Sequence, residues 1–324
     1  MDYYIDENGV MHDNVRYHTR KKHKFIESYL NIWSDNVKRN PPTLDIFDLY
    51  ASTGKCYCED AEMFGLPEAT WDGSALLSAR CLKKYANGKN LFLNTYADTP
   101  ENCERQKGNL ERLLSDMGFN NRHKISTEPI ESAVETAISY IRDIRFPTLW
   151  ILDPHAISEL PWSVVERIAK LKGEYHYKGE DRIRKPELII SLMTEDFQRW
   201  YKNHPRLISI ALGEEEGSWK PMIEELIGEG YNTREAFILY YMQKLSELYD
   251  KDPILIEINI TNQTAIVYCM LLLTESDAGH YLSQLELIPE FENWVASVWK
   301  DGAKKIILEK GLKKKGQLHL TDDY

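Results

Sequence analysis

Residues Leu44–Tyr50 form an apolar, aromatic-rich run that passes straight into a turn of small residues, Ala51-Ser52-Thr53-Gly54. Far downstream, Leu149-Trp150-Ile151-Leu152 is a second such run, ending on Asp153-Pro154-His155. Short continuous apolar runs bounded by turn residues read as strands buried on both faces, the kind found in parallel sheets. In an open α/β sheet, ligands bind where the carboxyl ends of the strands meet such turns. Asp48 and Asp153 therefore mark two strand ends of a nucleotide-type pocket, without saying what is done in it.

The rest of the chain repeats the strand-then-helix alternation. Residues 1–19 read as a polar arm, and His18–Ser34 as a helix whose inner face carries Phe25, Ile26, Tyr29, Leu30 and Trp33. Pro41-Pro42 stops local structure before the first strand, and 55–70 reads as loop. Helices are expected at Gly73–Tyr85, Thr99–Met117, Pro129–Ile141 and Pro161–Lys172. The strands between them are expected at Leu91–Tyr96, His123–Ser126, Thr148–Leu152 and Glu187–Leu192, with Lys172–Lys185 a charged loop. Further helices are expected near Glu195–Tyr201, Trp219–Ile227 and Thr233–Tyr249, and Ile254–Ile260 with Ala265–Leu273 suits an antiparallel hairpin. The expected fold is α/β and Rossmann-like, of the class I methyltransferase type: a mostly parallel sheet, an antiparallel C-terminal hairpin and helices on both faces. The expected organisation is an arm and helix over 1–40, an α/β core over 41–275 and a helical extension with a basic tail over 276–324.

Charge narrows the partners. The net charge of −11 gives the chain as a whole no attraction for nucleic acid or an anionic membrane. Contact with nucleic acid would need a local basic patch, and Arg16–Lys24 or the C-terminal lysines supply candidates, each with the alternative of a solvated helix face. Neither a leader nor a membrane span is expected, and the odd count of five cysteines points to reduced, buried thiols in a cytoplasmic protein. Cys56-x-Cys58 is too tight for usual zinc spacing, and the histidines show no metal-binding spacing, so no metal is expected.

The small-residue turn allows close backbone approach to a ligand, or is an ordinary βα turn. Thr53-Gly54-Lys55 imitates the end of a phosphate loop, but Leu49 and Cys56 stand where that motif needs Gly and Ser or Thr, so Lys55 is read as a solvated or substrate-facing side chain. Asn94 and Asp98 flank the second strand's end. Asp98 either replaces the acid that such folds use for a ribose or caps the helix that follows. Glu128-Pro129 carries the same two readings.

Several strings, in order, resemble the three-Cys-motif partner proteins, a family tied to phage and mobile elements whose members pair with a radical-SAM-type protein. They are Lys22-His23 with Tyr29-Leu30 and Trp33, Asp48–Gly54, Gly73-Ser74, Asp153-Pro154-His155-Ala156 followed by Trp162, Gly213 with Trp219, and the hairpin with Tyr268 and Thr274. The chain departs from the family's pattern at Ser52, at Asn94 and at His155-Ala156. The resemblance implies S-adenosylmethionine held by Asp48, Ala51, Ser52, Thr53, Gly54, Asn94 and Asp98. It implies Asp153 and His155 as the reacting pair, with Lys22, His23, Lys55, Pro154 and Trp162 toward a nucleobase or nucleic-acid substrate. The departures give the alternative of a degenerate partner subunit that binds a radical-SAM-type protein or nucleic acid.

Overall fold

The computed structural model describes residues 3–275 apart from 38–42, 64, 67, 85–87, 120, 178, 252 and 260–265. The expected basic extension over 276–324 and the hairpin connection at Thr261–Thr264 lie outside the described residues. The chain divides into two compact units. The first holds Met1–Asp153 and Arg167–Ile190, and the second holds Pro154–Glu166 and the chain from Ser191.

In chain order the first unit begins with β1 (Tyr3–Ile5), β2 (Met11–Asn14), α1 (His18–Val37), β3 (Thr43–Asp48), β4 (Lys55–Tyr57) and β5 (Thr70–Asp72). It continues with α2 (Ser74–Lys83), β6 (Gly88–Asn94), α3 (Pro100–Asp116), β7 (Arg122–Ser126), α4 (Ile130–Tyr140) and β8 (Thr148–Leu152). After α5 (Trp162–Ala169), which straddles the division, come β9 (Gly173–Tyr177), β10 (Glu180–Arg184) and β11 (Glu187–Leu192).

The large sheet of this unit is parallel throughout, in the order β11-β8-β3-β6-β7. The chain enters at the central strand, moves out to β7, then crosses back to β8 and β11. This is the Rossmann-like order, and its topological switch point lies between β3 and β8. Right-handed crossovers put α2 and α3 on one face and α4 on the other. Burial on both faces explains the apolar strands: Phe47 stacks on Trp150 with ring centroids 4.2 Å apart and meets Phe92 at 6.2 Å, a ladder of fully buried rings across β8, β3 and β6.

Two segments differ from expectation. The polar arm and the 55–70 loop together make a small sheet, in the order β1-β2-β4-β5. Asp6 folds the arm back on itself, its Oδ1 accepting from the Asn8 and Val10 amides at 3.0 and 2.8 Å, with Gly9 in the left-handed region at φ 71°. β2 then runs parallel to β4, and Tyr4 stacks on Tyr57 at 3.9 Å. The charged loop at 172–185 is an antiparallel hairpin, β9 with β10, whose described side chains on both strands are mostly exposed. A hairpin wetted on both faces has no apolar alternation to betray it.

In the second unit, α6 (Thr194–Trp200), α7 (Pro205–Leu212), α8 (Lys220–Gly228) and α9 (Thr233–Leu245) precede the antiparallel pair β12 (Ile254–Asn259) and β13 (Ile266–Leu273). Phe197 stacks on Phe237 at 4.4 Å and Trp219 meets the same ring at 5.4 Å, while the Trp219 indole donates to Ser209 Oγ at 2.9 Å. α7 ends at Gly213, φ 64°, where a Cβ would lie 2.5 Å from Trp162 Cδ1. None of the described helices is long and apolar enough to cross a membrane. All five cysteines are buried free thiols.

Candidate functional site

β3 and β8 end side by side, and each end carries an acid. Asp48 is completely buried. Its Oδ1 accepts from the Tyr50 amide at 3.1 Å and the Ser74 hydroxyl supports the carboxyl, while Oδ2 has no hydrogen-bond partner among the described residues. Burial pushes this carboxyl up to about 7, with the neighbouring Asp153 charge adding to the rise, so near neutrality Asp48 holds a proton for a large share of the time.

Asp153, 8% exposed, receives Lys22 from α1. Lys22 Nζ lies 2.6 Å from Oδ2 and donates to Oδ1 at 2.8 Å, so one ammonium spans both oxygens. The next residue, His23, is buried, with Nδ1 accepting from the Trp71 indole at 2.9 Å and Cys56 Sγ at 3.8 Å from the same nitrogen. Nδ1 as acceptor puts the ring proton on Nε2. Burial lowers this histidine to about 3, with Lys22 assisting, and holds it neutral. The Arg20 guanidinium sits 5.3 Å over the Trp71 ring. The basic run at Arg16–Lys24 is therefore partly turned inward, and of these residues Arg16 is the exposed one. The sequence leaves this run open between a nucleic-acid contact and a solvated helix face; the fold turns Lys22 and His23 inward.

The turn after β3 is tightly braced. The Ala51 amide donates to Asn94 O at 2.9 Å, and the Gly54 amide to Ala51 O at 3.1 Å. Asn94 Nδ2 donates to Leu49 O at 3.4 Å, while its buried Oδ1 has no partner among the described residues. Ser52 and Thr53 face Asp13 of β2, and Asn109 of α3 donates to Thr53 O at 2.8 Å. A Cβ on Gly54 would lie 2.4 Å from Leu110 Cδ2, and the Gly73 amide donates to Gly54 O at 2.8 Å. Gly54 and Gly73 thus pinch together the insertion that holds β4 and β5. Asp13, Trp71, Ser74, Gln106 and Asn109 were not among the candidates from sequence; of these only Gly73-Ser74 gave a local signal.

The remaining candidates fall elsewhere. Asp98 is exposed, and Thr99 rather than Asp98 caps α3, accepting from the Asn102 amide at 3.2 Å. Lys55 lies 3.5 Å from Asp72, its register partner across β4 and β5. Pro154, His155 and Trp162 belong to the second unit. Pro154 is buried, and His155 is exposed with its amide donating to Glu159 Oε2 at 2.9 Å. Trp162 is packed against Gly213 and edge-on to Tyr241 at 5.4 Å, with Lys244 Nζ 5.1 Å over its ring. The structure therefore gathers Lys22, His23, Asp48, Ala51–Gly54, Asn94 and Asp153 around the switch point of the first unit, and assigns Trp162 to packing.

Compared with known proteins, the chain matches no family model, and no curated protein is detectably similar to it. The site must be judged on its own chemistry. It combines a buried carboxyl with one unsatisfied oxygen, an ion pair spanning a second carboxylate and a braced turn carrying left-handed residues. The Tyr50, Ala51, Thr53 and Gly54 amides of the turn are taken up by Asp48, Asn94, Asp13 and Ala51, while the buried Oδ atoms of Asp48 and Asn94 have no partner among the described residues.

Proposed function

We propose that the switch point binds S-adenosylmethionine or a related nucleotide, and that the protein is methyltransferase-like, acting on a nucleobase or nucleic-acid substrate. The observation that carries this reading is Asp48, wholly buried at the end of the central strand with one oxygen unpartnered among the described residues. A buried acceptor left unmet is costly, and a ligand ammonium or hydroxyl would relieve that cost. On this reading Asp48, Asn94 and the Ala51–Gly54 turn hold the cofactor, which supplies the methyl group when bound. Asp153 accepts from the substrate's donor group, with Lys22 as its present partner. The resemblance to three-Cys-motif partner proteins points the same way.

One observation favours a second reading. The turn that would meet the cofactor already spends its polar groups on Asp13, Asn94 and Asn109. A protein whose pocket has closed on itself suits a degenerate subunit that binds a radical-SAM-type protein or nucleic acid.

Methyl transfer separates the two. Labelled S-adenosylmethionine incubated with the full chain and mixed DNA and RNA is expected to label nucleic acid, and Asp153→Ala to lower that labelling by roughly a hundredfold or more. Absence of both cofactor binding and label on nucleic acid would favour the second reading and sink the enzymatic one.

A further inference from the structure

The turn after β3 carries its own anion. Ser52 stands in the left-handed region at φ 45°, the one described non-glycine residue with positive φ, and Gly54 follows at φ 81°. Backbone that alternates in this way turns neighbouring donors to one side and makes an anion-accepting concavity. Both donors on that side meet Asp13: the Ser52 hydroxyl donates to Oδ1 at 2.7 Å, and the Thr53 amide faces Oδ2 at 3.5 Å. Gln106 Nε2 reaches Ser52 Oγ at 3.5 Å as a donor, which leaves the hydroxyl proton for Asp13.

Asp13 is delivered by strand pairing. β2 runs beside β4 with Asp13 opposite Cys56, and the Asn109 side chain ties down both the amide and the carbonyl of Met11. The carboxylate is thus built into the wall of the turn.

We propose that Asp13 is an internal occupant of this turn, standing where the carboxylate of a ligand would sit. It sets the affinity of the site for ligands with an anionic end. This rests on the reading that the Ala51–Gly54 turn belongs to a cofactor site. The ligand class is a nucleoside bearing an α-amino acid, whose carboxylate must displace Asp13 before it can take the Ser52 and Thr53 donors. A ligand without that carboxylate has no such competition.

The test titrates the full chain and its Asp13→Asn and Asp13→Ala variants with two probes. S-adenosylhomocysteine carries the amino-acid end, and 5′-methylthioadenosine lacks it. Asp13→Ala is expected to bind S-adenosylhomocysteine roughly tenfold tighter than the parent chain. Asp13→Asn, which loses the charge but keeps an acceptor for Ser52, is expected to fall between them. Affinity for 5′-methylthioadenosine is expected to stay level throughout. Melting curves establish that each variant is folded, and Asp13→Asn decides the matter should Asp13→Ala fail to fold. Unchanged or weaker S-adenosylhomocysteine binding in a folded variant overturns the role of Asp13 and leaves the cofactor site standing. A parallel gain for both probes overturns it too, by revealing mere loosening. Absence of binding in every protein overturns the proposal together with the cofactor site.

Discussion

Exchanging Lys22 for methionine is expected to destabilise the protein by about 3–5 kcal/mol, the usual cost of removing one partner from a buried ion pair. Methionine keeps most of the apolar stem and removes the ammonium, so the change isolates the charge. The Lys22 and Asp153 side chains are 14% and 9% exposed, far from the exposure of ordinary surface pairs. The lost cation leaves the Asp153 carboxylate buried beside Asp48, a second acid whose rise already reflects Asp153. Replacing both partners, Lys22→Met with Asp153→Leu, is expected to recover most of the loss, since well-packed apolar pairs often match buried ion pairs. Urea denaturation of the two single variants and the double variant completes the cycle. A single-variant loss below about 1 kcal/mol would mean that the pair behaves as a solvated surface contact.

The second large effect is on pH dependence. Burial holds Asp48 up at about 7 and Asp45, three residues earlier on the same strand, up at about 6, against an ordinary 3.8. The folded protein therefore keeps protons that the unfolded chain releases once the pH rises past 3.8. Bound protons in excess in the folded state mean that stability falls as pH rises. Each carboxyl contributes a fall of about 1.4 kcal/mol per pH unit. The fall from Asp45 levels off near 6 and that from Asp48 near 7. The stability from these groups is thus fully present in acid and lost toward neutrality. Asp48→Asn is expected to flatten the slope between pH 4 and 7, most clearly above 6 where Asp45 has finished. Denaturation midpoints across that range provide the check, and an unchanged slope in the variant would contradict the burial of Asp48.

Much of the first unit's sheet was legible because its physics is local. β8 and β11 lie where continuous apolar runs bounded by Pro, Thr or Glu put them, and α1 where its apolar face recurs. Asp48 and Asp153 could be read as strand-end acids for the same reason. The four short strands of the small sheet were not legible, since three or four residues hold too little pattern to show a period. Nor was α7 among the expected helices, although Pro205 opens it in its first turn. The site's second half depends on contacts remote in sequence. Lys22 meets Asp153 across 131 positions, and Ser52 meets Asp13 across 39. No spacing rule connects such pairs, so neither the partner of Lys22 nor the role of an aspartate in a polar arm could be read. Thr99 illustrates a smaller failure, in which adjacent Asp98 and Thr99 are both good caps and packing selects between them.

Asp48 is proposed to organise a ligand site at the switch point. The most direct test is calorimetric titration of the full chain and of Asp48→Asn with S-adenosylhomocysteine. Saturable micromolar binding to the parent chain, weakened at least roughly a hundredfold in the variant, is the predicted result. No heat and no thermal stabilisation at millimolar ligand, or equal binding by both proteins, would contradict it.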